Sequence, residues 1–411
     1  MTRVTMVRHP DRLALAAAID DTWADQRPVW VVASDIDATG IAAMGGGVVE
    51  QGVAERLVAQ GRTELDLPVP PDTATIVTTS GTTGPPKAVC LSRNALDASG
   101  RGAHHHLRLD SEDRWGLVLP LHHVAGQSIL WRSRMLGTTP VIQQRLAPGA
   151  LDDAGVTVVS LVSTQVRRMV ATETHLAAHV LLGGGAIAAS LLRDGADHVG
   201  GITRSYGLTE TAGGCVYDGI PFPGTEVVAR DGLLGLRGPT LASGLLTPAG
   251  MRPITDADGW LWTNDLGAVD DGVVSVVGRA DDVVITGGVN VNPASVEVVL
   301  EEHPAVARAG VVGVEDREWG QRLVAAVVLH TADGRVSPDV APPATSAPTP
   351  SGGDHRLPNV DEGLAGELRA SVRRELGAAA APTTFVVADD LPLTSLGKIA
   401  RHELTAMLAA R

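Results

Sequence analysis

Residues 78–87 read Thr-Thr-Ser-Gly-Thr-Thr-Gly-Pro-Pro-Lys. Small residues let a backbone come close to a polyphosphate, hydroxyl and amide groups donate to its oxygens, and a lysine adds charge. Thr79, Ser80, Gly81, Thr82, Thr83, Gly84 and Lys87 are therefore candidate phosphate-binding residues. A Walker-type loop is excluded, because Pro86 and Ala88 flank the lysine where that motif needs Gly before it and Ser or Thr after it. Lys87 is one of only two lysines in the chain. The other, Lys398, lies in Leu391-Pro392-Leu393-Thr394-Ser395-Leu396-Gly397-Lys398-Ile399. Lysine presents a compact point charge and arginine a planar fork, so in a chain that otherwise uses arginine, two lysines inside motifs mark places where the fork will not serve.

With further motifs in the same order, these segments resemble the adenylate-forming superfamily of acyl-CoA synthetases, adenylation domains and luciferases. The resemblance spans residues 75–325 and 360–410, and the phosphate loop and the terminal lysine motif are its most specific parts. It implies that in Ser205-Tyr206-Gly207-Leu208-Thr209-Glu210 the tyrosine stacks on adenine, Thr209 contacts the α-phosphate and Glu210 helps hold Mg²⁺, a hard cation that takes oxygen ligands. Gly207 then borders the acyl group. Gly184 and Gly185, in Gly183-Gly184-Gly185-Ala186, lie against the adenine. Asp265, in Thr263-Asn264-Asp265-Leu266-Gly267, takes both ribose hydroxyls, a task suited to a two-oxygen acceptor. In Gly278-Arg279-Ala280-Asp281-Asp282, Arg279 reaches the ribose and Asp281 is the pivot between domains. Gly287 and Gly288 give a thiol clearance beside the pantetheine of coenzyme A, and Lys398 bridges the carboxylate and the α-phosphate.

The acid-binding segment is Pro120-Leu121-His122-His123-Val124-Ala125-Gly126-Gln127-Ser128-Ile129-Leu130-Trp131-Arg132. It is similar to the stretch in which a histidine, here His123, guards the acyl pocket; an aromatic commonly precedes that histidine, and His122 replaces it. Within the superfamily it most resembles o-succinylbenzoate-CoA ligases of menaquinone synthesis, in which an arginine, here Arg132, binds the second carboxylate of the substrate. A planar fork suits that carboxylate. The implied activity is an AMP-forming acid–thiol ligase that uses ATP, Mg²⁺ and coenzyme A, with Lys398, Thr209 and Glu210 as its catalytic residues. Another small aryl- or acyl-CoA ligase, or a stand-alone adenylation enzyme loading a carrier protein, would carry the same motifs.

These groups need a scaffold. At 411 residues the chain exceeds the size of a single core, so two domains are expected. Short β-rich runs alternate with helical stretches from Ile76 onward, which predicts α/β architecture, and Pro221–Val277 reads as a β subdomain closing the larger unit. The resemblance implies a large domain over 1–279 with an abbreviated N-terminus, and a small mobile α+β domain over 281–411. Asn292-Pro293 is a helix-start signal, and Thr331–Val360, rich in Pro, Ser and Ala, reads as a disordered insertion whose removal is tolerated. Three consecutive histidines, His104, His105 and His106, point to different sides of a helix and read as surface residues rather than a metal site.

Net charge is −14, which disfavours nucleic acid and anionic membrane partners, and no apolar run approaches the ~20 residues of a membrane span. Cys90 and Cys215 lie far apart without metal-ligand spacing, as expected for buried thiols in a reducing compartment. The expected setting is the cytoplasm, the expected partners are a small carboxylic acid and coenzyme A, and a homodimer is compatible with the sequence.

Overall fold

The computed structural model of the chain describes residues 1–36, 39–40, 42, 49–79, 86–330, 357–394 and 397–409. Ser80, Gly81, Thr82, Thr83 and Gly84, the centre of the phosphate loop, lie outside the described residues, as does most of the insertion. The chain opens with β1 (Thr2–Val7), α1 (Arg12–Ala24), β2 (Val29–Val31), α2 (Gln51–Gln60), β3 (Arg62–Leu67), β4 (Thr73–Thr79) and β5 (Lys87–Ser92). Next come α3 (Arg93–Leu107), β6 (Trp115–Leu117), α4 (Val124–Leu136), β7 (Val141–Ile142), α5 (Pro148–Asp153), β8 (Val158–Val162), α6 (Ser163–Ala171), β9 (Leu176–Gly183), α7 (Ala189–Ala196) and β10 (Val199–Leu208). A strand-rich stretch follows: β11 (Gly213–Tyr217), β12 (Ile220–Pro221), β13 (Glu226–Arg230), β14 (Leu233–Arg237), β15 (Gly244–Thr247), β16 (Gly250–Arg252), β17 (Leu261–Asp270) and β18 (Val273–Arg279). The remainder is β19 (Val284–Thr286), β20 (Val289–Val291), α8 (Pro293–Glu301), β21 (Val306–Asp316), β22 (Gly320–Leu329), α9 (Glu362–Leu376), β23 (Thr384–Val387) and α10 (Arg401–Ala409).

Among the described residues, two seven-stranded sheets run β16-β15-β5-β4-β2-β1-β3 and β12-β11-β10-β9-β8-β6-β7. Neighbours from β7 to β10 in the second are parallel, so each return needs a crossover, and α4 to α7 supply them. That arrangement lines up the carboxyl ends of β8, β9 and β10, with Val162 opposite Gly183 and Gly183 opposite Ser205. Ligands of open α/β sheets bind just beyond such ends.

The stretch 221–277 is not one subdomain. β13, β14, β17 and β18 form a four-stranded sheet, but β15 and β16 leave it to extend the first sheet, where Gly244 pairs with Cys90. The buried Leu245 and Leu246 cover the edge of β5 that β4 leaves open. Cys90 and Cys215 are free and fully buried, and burial pushes both thiols up to about 12.

The small domain is a sheet of β20-β19-β22-β21 with β23 on β22, flanked by α8 and α9. Asn292 accepts the Ala294 N–H at 3.0 Å and Pro293 follows it, which starts α8 as its sequence predicts. Val296 and Leu300 face the core. The insertion ends earlier than expected, because Leu357–Val360 belong to the fold: Val360 is buried, its N–H donates to Phe385 O at 3.0 Å, and the Val387 N–H donates to Pro358 O at 2.9 Å. Composition alone cannot locate that boundary, since Pro358 and Asn359 look like loop residues.

A buried ion pair ties α10 to α8 and to Asp282, just before β19. Arg401 donates to both oxygens of the buried Glu297 (2.7 and 3.1 Å), to Val311 O (2.8 Å) and to Asp282 (2.9 Å). Removing one member leaves the other charge buried and uncompensated. Arg401→Ala is expected to destabilise the small domain by about 3 kcal/mol, read as a lower denaturant midpoint. Replacing residues 331–356 by a short Gly/Ser linker is expected to shift Tm by less than about 3 °C, whereas extending the deletion through Val360 lowers it clearly.

Candidate active site

Where β10 ends, its pairing with β11 slips at Tyr206/Gly207. A Cβ on Gly207 would come within 2.0 Å of Gly213 O, so the glycine there is demanded by the neighbouring backbone. The Tyr206 hydroxyl donates to Asp265 Oδ2 at 2.8 Å. Asp265, only 6% exposed on β17, stands opposite Arg279 of β18 in the sheet register. Arg279 Nη1 donates to Asp265 Oδ1 at 3.2 Å, while its Nε and Nη2 each donate to Asp281 at 2.8 Å. The Asp265 N–H donates to the Thr263 hydroxyl at 3.0 Å, which holds the backbone of β17 at that residue. Each carboxylate oxygen keeps a second lone pair, enough for two further donors such as a vicinal diol. Burial and the Asp265 charge push the Tyr206 phenol well above its usual range, so it remains a donor.

Thr209 and Glu210 occupy one 3₁₀ turn after β10, closed by Ala212 at φ 55°. Thr211, which sequence reasoning did not single out, braces the turn: its hydroxyl accepts the Leu208 N–H at 2.8 Å and donates to Gly213 O at 2.7 Å. Among the described residues neither the Thr209 hydroxyl nor the Glu210 carboxylate has a side-chain partner, and no three His, Cys, Asp or Glu side chains converge as a metal site. A Mg²⁺ that arrives on a polyphosphate suits a lone carboxylate, because phosphate oxygens and waters fill its other positions. Gly183 pairs with Ser205, placing the glycine turn beside Tyr206, and Gly184 adopts φ 89°, which glycine alone takes up readily. Thr79 and Lys87 stand opposite each other where β4 and β5 pair, with Lys87 exposed at the start of β5.

The terminal lysine reaches this cleft. Thr394 and Lys398 close a turn in which the Lys398 N–H donates to the Thr394 hydroxyl at 3.2 Å and the Thr394 N–H to Lys398 O at 2.8 Å. Gly397 has φ 71°, and a Cβ there would approach Thr164 Oγ1 to 2.7 Å and Val162 Cγ2 to 3.3 Å, so the turn is seated against the large domain. Lys398 keeps solvent exposure, yet crowding in the cleft lowers its pKa; Arg279 adds to the shift, and Asp265 and Asp282 oppose it. Its charge is also felt at His123. Burial, then His122 at 4.2 Å between ring centroids, then Lys398 push the His123 imidazole down to about 3, so it is neutral at physiological pH.

His123 caps α4, whose start is fixed by Gln127: the side chain donates to Leu121 O at 2.9 Å and accepts from the Thr75 hydroxyl at 2.6 Å. Two turns on, Arg132 is 3% exposed. It donates to the Ser99 hydroxyl at 3.3 Å and lies 5.5 Å from the Trp115 ring centroid. Its Nε has no hydrogen-bond partner, and no carboxylate among the described residues pairs with it. Trp115 Nε1 and His104 Nε2 are likewise buried and, among the described residues, unpartnered, while the buried Tyr217 hydroxyl faces Arg132 and Ser205. His104 is therefore not the surface residue expected from sequence: burial and the Arg132 charge push it down to about 4. His105 is exposed and His106 packs edge-on against Tyr217 at 5.4 Å. No local pattern marks Tyr217 or His104, because only the meeting of α3, α4 and β11 brings them near Arg132.

Gly287 and Gly288 form the two-residue turn between β19 and β20, both at positive φ (57° and 80°), as a tight hairpin requires. A Cβ on Gly287 would lie 2.6 Å from the Trp319 ring, and Trp319 is 53% exposed. This turn is not among the groups that meet Lys398 through the contacts above.

Known proteins share this arrangement. Residues 3–262 match the model of the AMP-binding enzymes and residues 295–398 that of the AMP-binding enzyme C-terminal domain. A probable 2-succinylbenzoate–CoA ligase of Mycobacterium tuberculosis is 37% identical over 356 residues, covering 82% of this chain and 85% of its own. The 2-succinylbenzoate–CoA ligase of Bacillus licheniformis is 33% identical, with 81% and 70% covered. Among solved structures, the o-succinylbenzoate CoA synthetase of Bacillus subtilis in complex with its acyl-adenylate intermediate superposes with a TM-score of 0.73 at 26% identity, covering 98% of this chain and 87% of that one. The chain thus belongs to the AMP-binding enzymes, with the large amino-terminal and small carboxy-terminal domains of the adenylate-forming fold.

Proposed function

We propose that the protein is an ATP-dependent o-succinylbenzoate–CoA ligase of menaquinone biosynthesis, forming acyl-AMP and pyrophosphate and then acyl-CoA and AMP. The observation that carries this reading is the seating of the Gly397–Lys398 turn, from the small domain, on Thr164 and Val162 at the carboxyl end of β8, beside the Tyr206–Asp265–Arg279 chain. Relatives named for this activity support the choice of acid. The proposed domain boundary is the 279–281 connector, with Asp281 as pivot.

In the first step a carboxylate oxygen attacks the α-phosphorus of MgATP and pyrophosphate leaves. Both reactants are anionic, so the transition state needs cationic charge at the point of contact. Lys398 supplies it, Thr209 donates to the α-phosphate, and Glu210 holds the Mg²⁺ that accompanies ATP. Thr79, Ser80, Gly81, Thr82, Thr83, Gly84 and Lys87 embrace the β- and γ-phosphates. Gly184 and Gly185 with Tyr206 take the adenine, and Asp265 with Arg279 takes the ribose. In the second step the small domain turns about Asp281, Lys398 withdraws, and the Gly287–Gly288 turn admits the coenzyme A thiol, whose sulfur attacks the acyl carbon as AMP leaves and the thiol proton passes to solvent. His123 and Gly207 border the acyl group. Arg132, a buried cation with no carboxylate partner among the described residues, neutralises the second carboxylate. The same reading puts the enzyme in the cytoplasm, where its free thiols, ATP and coenzyme A coexist.

Arg132→Met keeps volume and removes charge, so kcat/KM for o-succinylbenzoate is expected to fall roughly 10- to 100-fold, carried mainly by KM, while a monocarboxylic benzoate loses little. Equal losses for both acids in steady-state assays would contradict the assignment. Lys398→Ala is expected to slow pyrophosphate exchange by roughly 10²- to 10³-fold while preformed acyl-AMP still reacts with coenzyme A. A lowered lysine pKa means the cation is lost at lower pH than from free lysine. Hence kcat/KM for ATP in the exchange reaction should decline on the alkaline side below about 10.4, and this limb should vanish in Lys398→Arg.

A further inference from the structure

A second set of contacts crosses between the domains at α6 and α7. Glu301 ends α8 in the small domain; its Oε1 accepts the Ala309 N–H at 3.1 Å, and its Oε2 receives Arg167 Nη2 of α6 in the large domain. Arg167 Nη1 also donates to Ala307 O at 3.3 Å. Beside them, Glu302 accepts the Ser190 N–H at 2.7 Å and Arg193 Nη2 at 2.8 Å, and the Ser190 hydroxyl donates to Glu301 O at 3.3 Å. Two arginines therefore face the carbonyl end of α8, where cations are favoured.

These contacts differ in weight. The Arg193 side chain is 64% exposed, and such pairs contribute little. Those of Arg167 and Glu301 are only 16% and 13% exposed, so their attraction is poorly screened. Arg167 also lies one turn after Thr164, on the same face of α6. Thr164 is the residue against which Gly397 seats, immediately before Lys398. One helix thus grips the small domain at α8 and fixes the turn that presents the lysine.

We propose that Arg167, paired with Glu301, is a positioning residue for adenylation: it latches the small domain in the orientation that delivers Lys398, and it must release before thioester formation. This rests on the two-step reading above. Because the partners lie in different domains, rotation about Asp281 separates them, while Glu301 retains its bond to the Ala309 N–H and Arg167 turns to water. The latch therefore stabilises one orientation selectively and contributes nothing to the other.

The test separates the half-reactions. Arg167→Ala is expected to slow single-turnover formation of o-succinylbenzoyl adenylate from acid and MgATP roughly fivefold to twentyfold, with transfer from preformed adenylate to coenzyme A unchanged or faster. Arg167→Lys, which keeps the charge, should recover about half of the lost rate. Equal losses in both half-reactions, or none in the first, overturn the latch. A measurement independent of the acid decides it separately: spin labels at the exposed positions Glu112→Cys and Glu375→Cys should give one narrow interdomain distance in the otherwise unaltered chain and a broad distribution with Arg167→Ala. An identical distribution overturns the proposal. A protein that transfers nothing to coenzyme A sinks the functional reading alone, since the distances do not depend on it.

Discussion

A single carboxylate organises the nucleotide side of the cleft. Asp265 is buried, receives Tyr206 on one oxygen and Arg279 on the other, and through Arg279 reaches Asp281 at the connector. An unpaired charge there would carry a heavy desolvation cost. With both partners in place it becomes a rigid acceptor whose remaining lone pairs point the same way for every substrate molecule. The sheet register that sets Asp265 beside Arg279, and the slip that turns Tyr206 towards them, are the structural preconditions.

The rest of the architecture handles repulsion between two anions. A cation fixed permanently at the reacting carboxylate would hold the acyl-AMP too well and would occupy space that the incoming thiol needs. Mounting it on a small domain with its own core solves both difficulties. The ion pair at the end of α8 and the seat of Gly397 on Thr164 are where the two domains register with one another.

Much of this was legible in the residues themselves. The large and small domains of the adenylate-forming fold follow from contiguous motifs, and the Asn292-Pro293 helix start is a backbone rule that works without tertiary help. What stayed hidden is long-range. Thr211 and Thr75 act as braces through hydroxyls that any threonine possesses, and nothing nearby tells them apart. His104 sits in a run that looks like solvated surface until α3 packs beside Arg132. The departure of β15 and β16 to the first sheet was invisible because strand patterning specifies a pleated face and says nothing about which edge will receive it. Likewise Val360 looks like the tail of a loop until its N–H finds Phe385.

The scarcity of ε-amino groups has a chemical consequence. An acyl-adenylate is a mixed anhydride, and an amine that is neutral even part of the time will open it to give an amide, whereas a guanidinium, which stays protonated, will not. A chain with two lysines offers its own escaped intermediate almost nothing to modify. In the proposed reaction the residue most open to that damage is Lys398, whose depressed pKa keeps more of it unprotonated. Self-inactivation would then strike at the residue on which turnover depends, which sets a chemical clock on how long the intermediate can wait for its thiol.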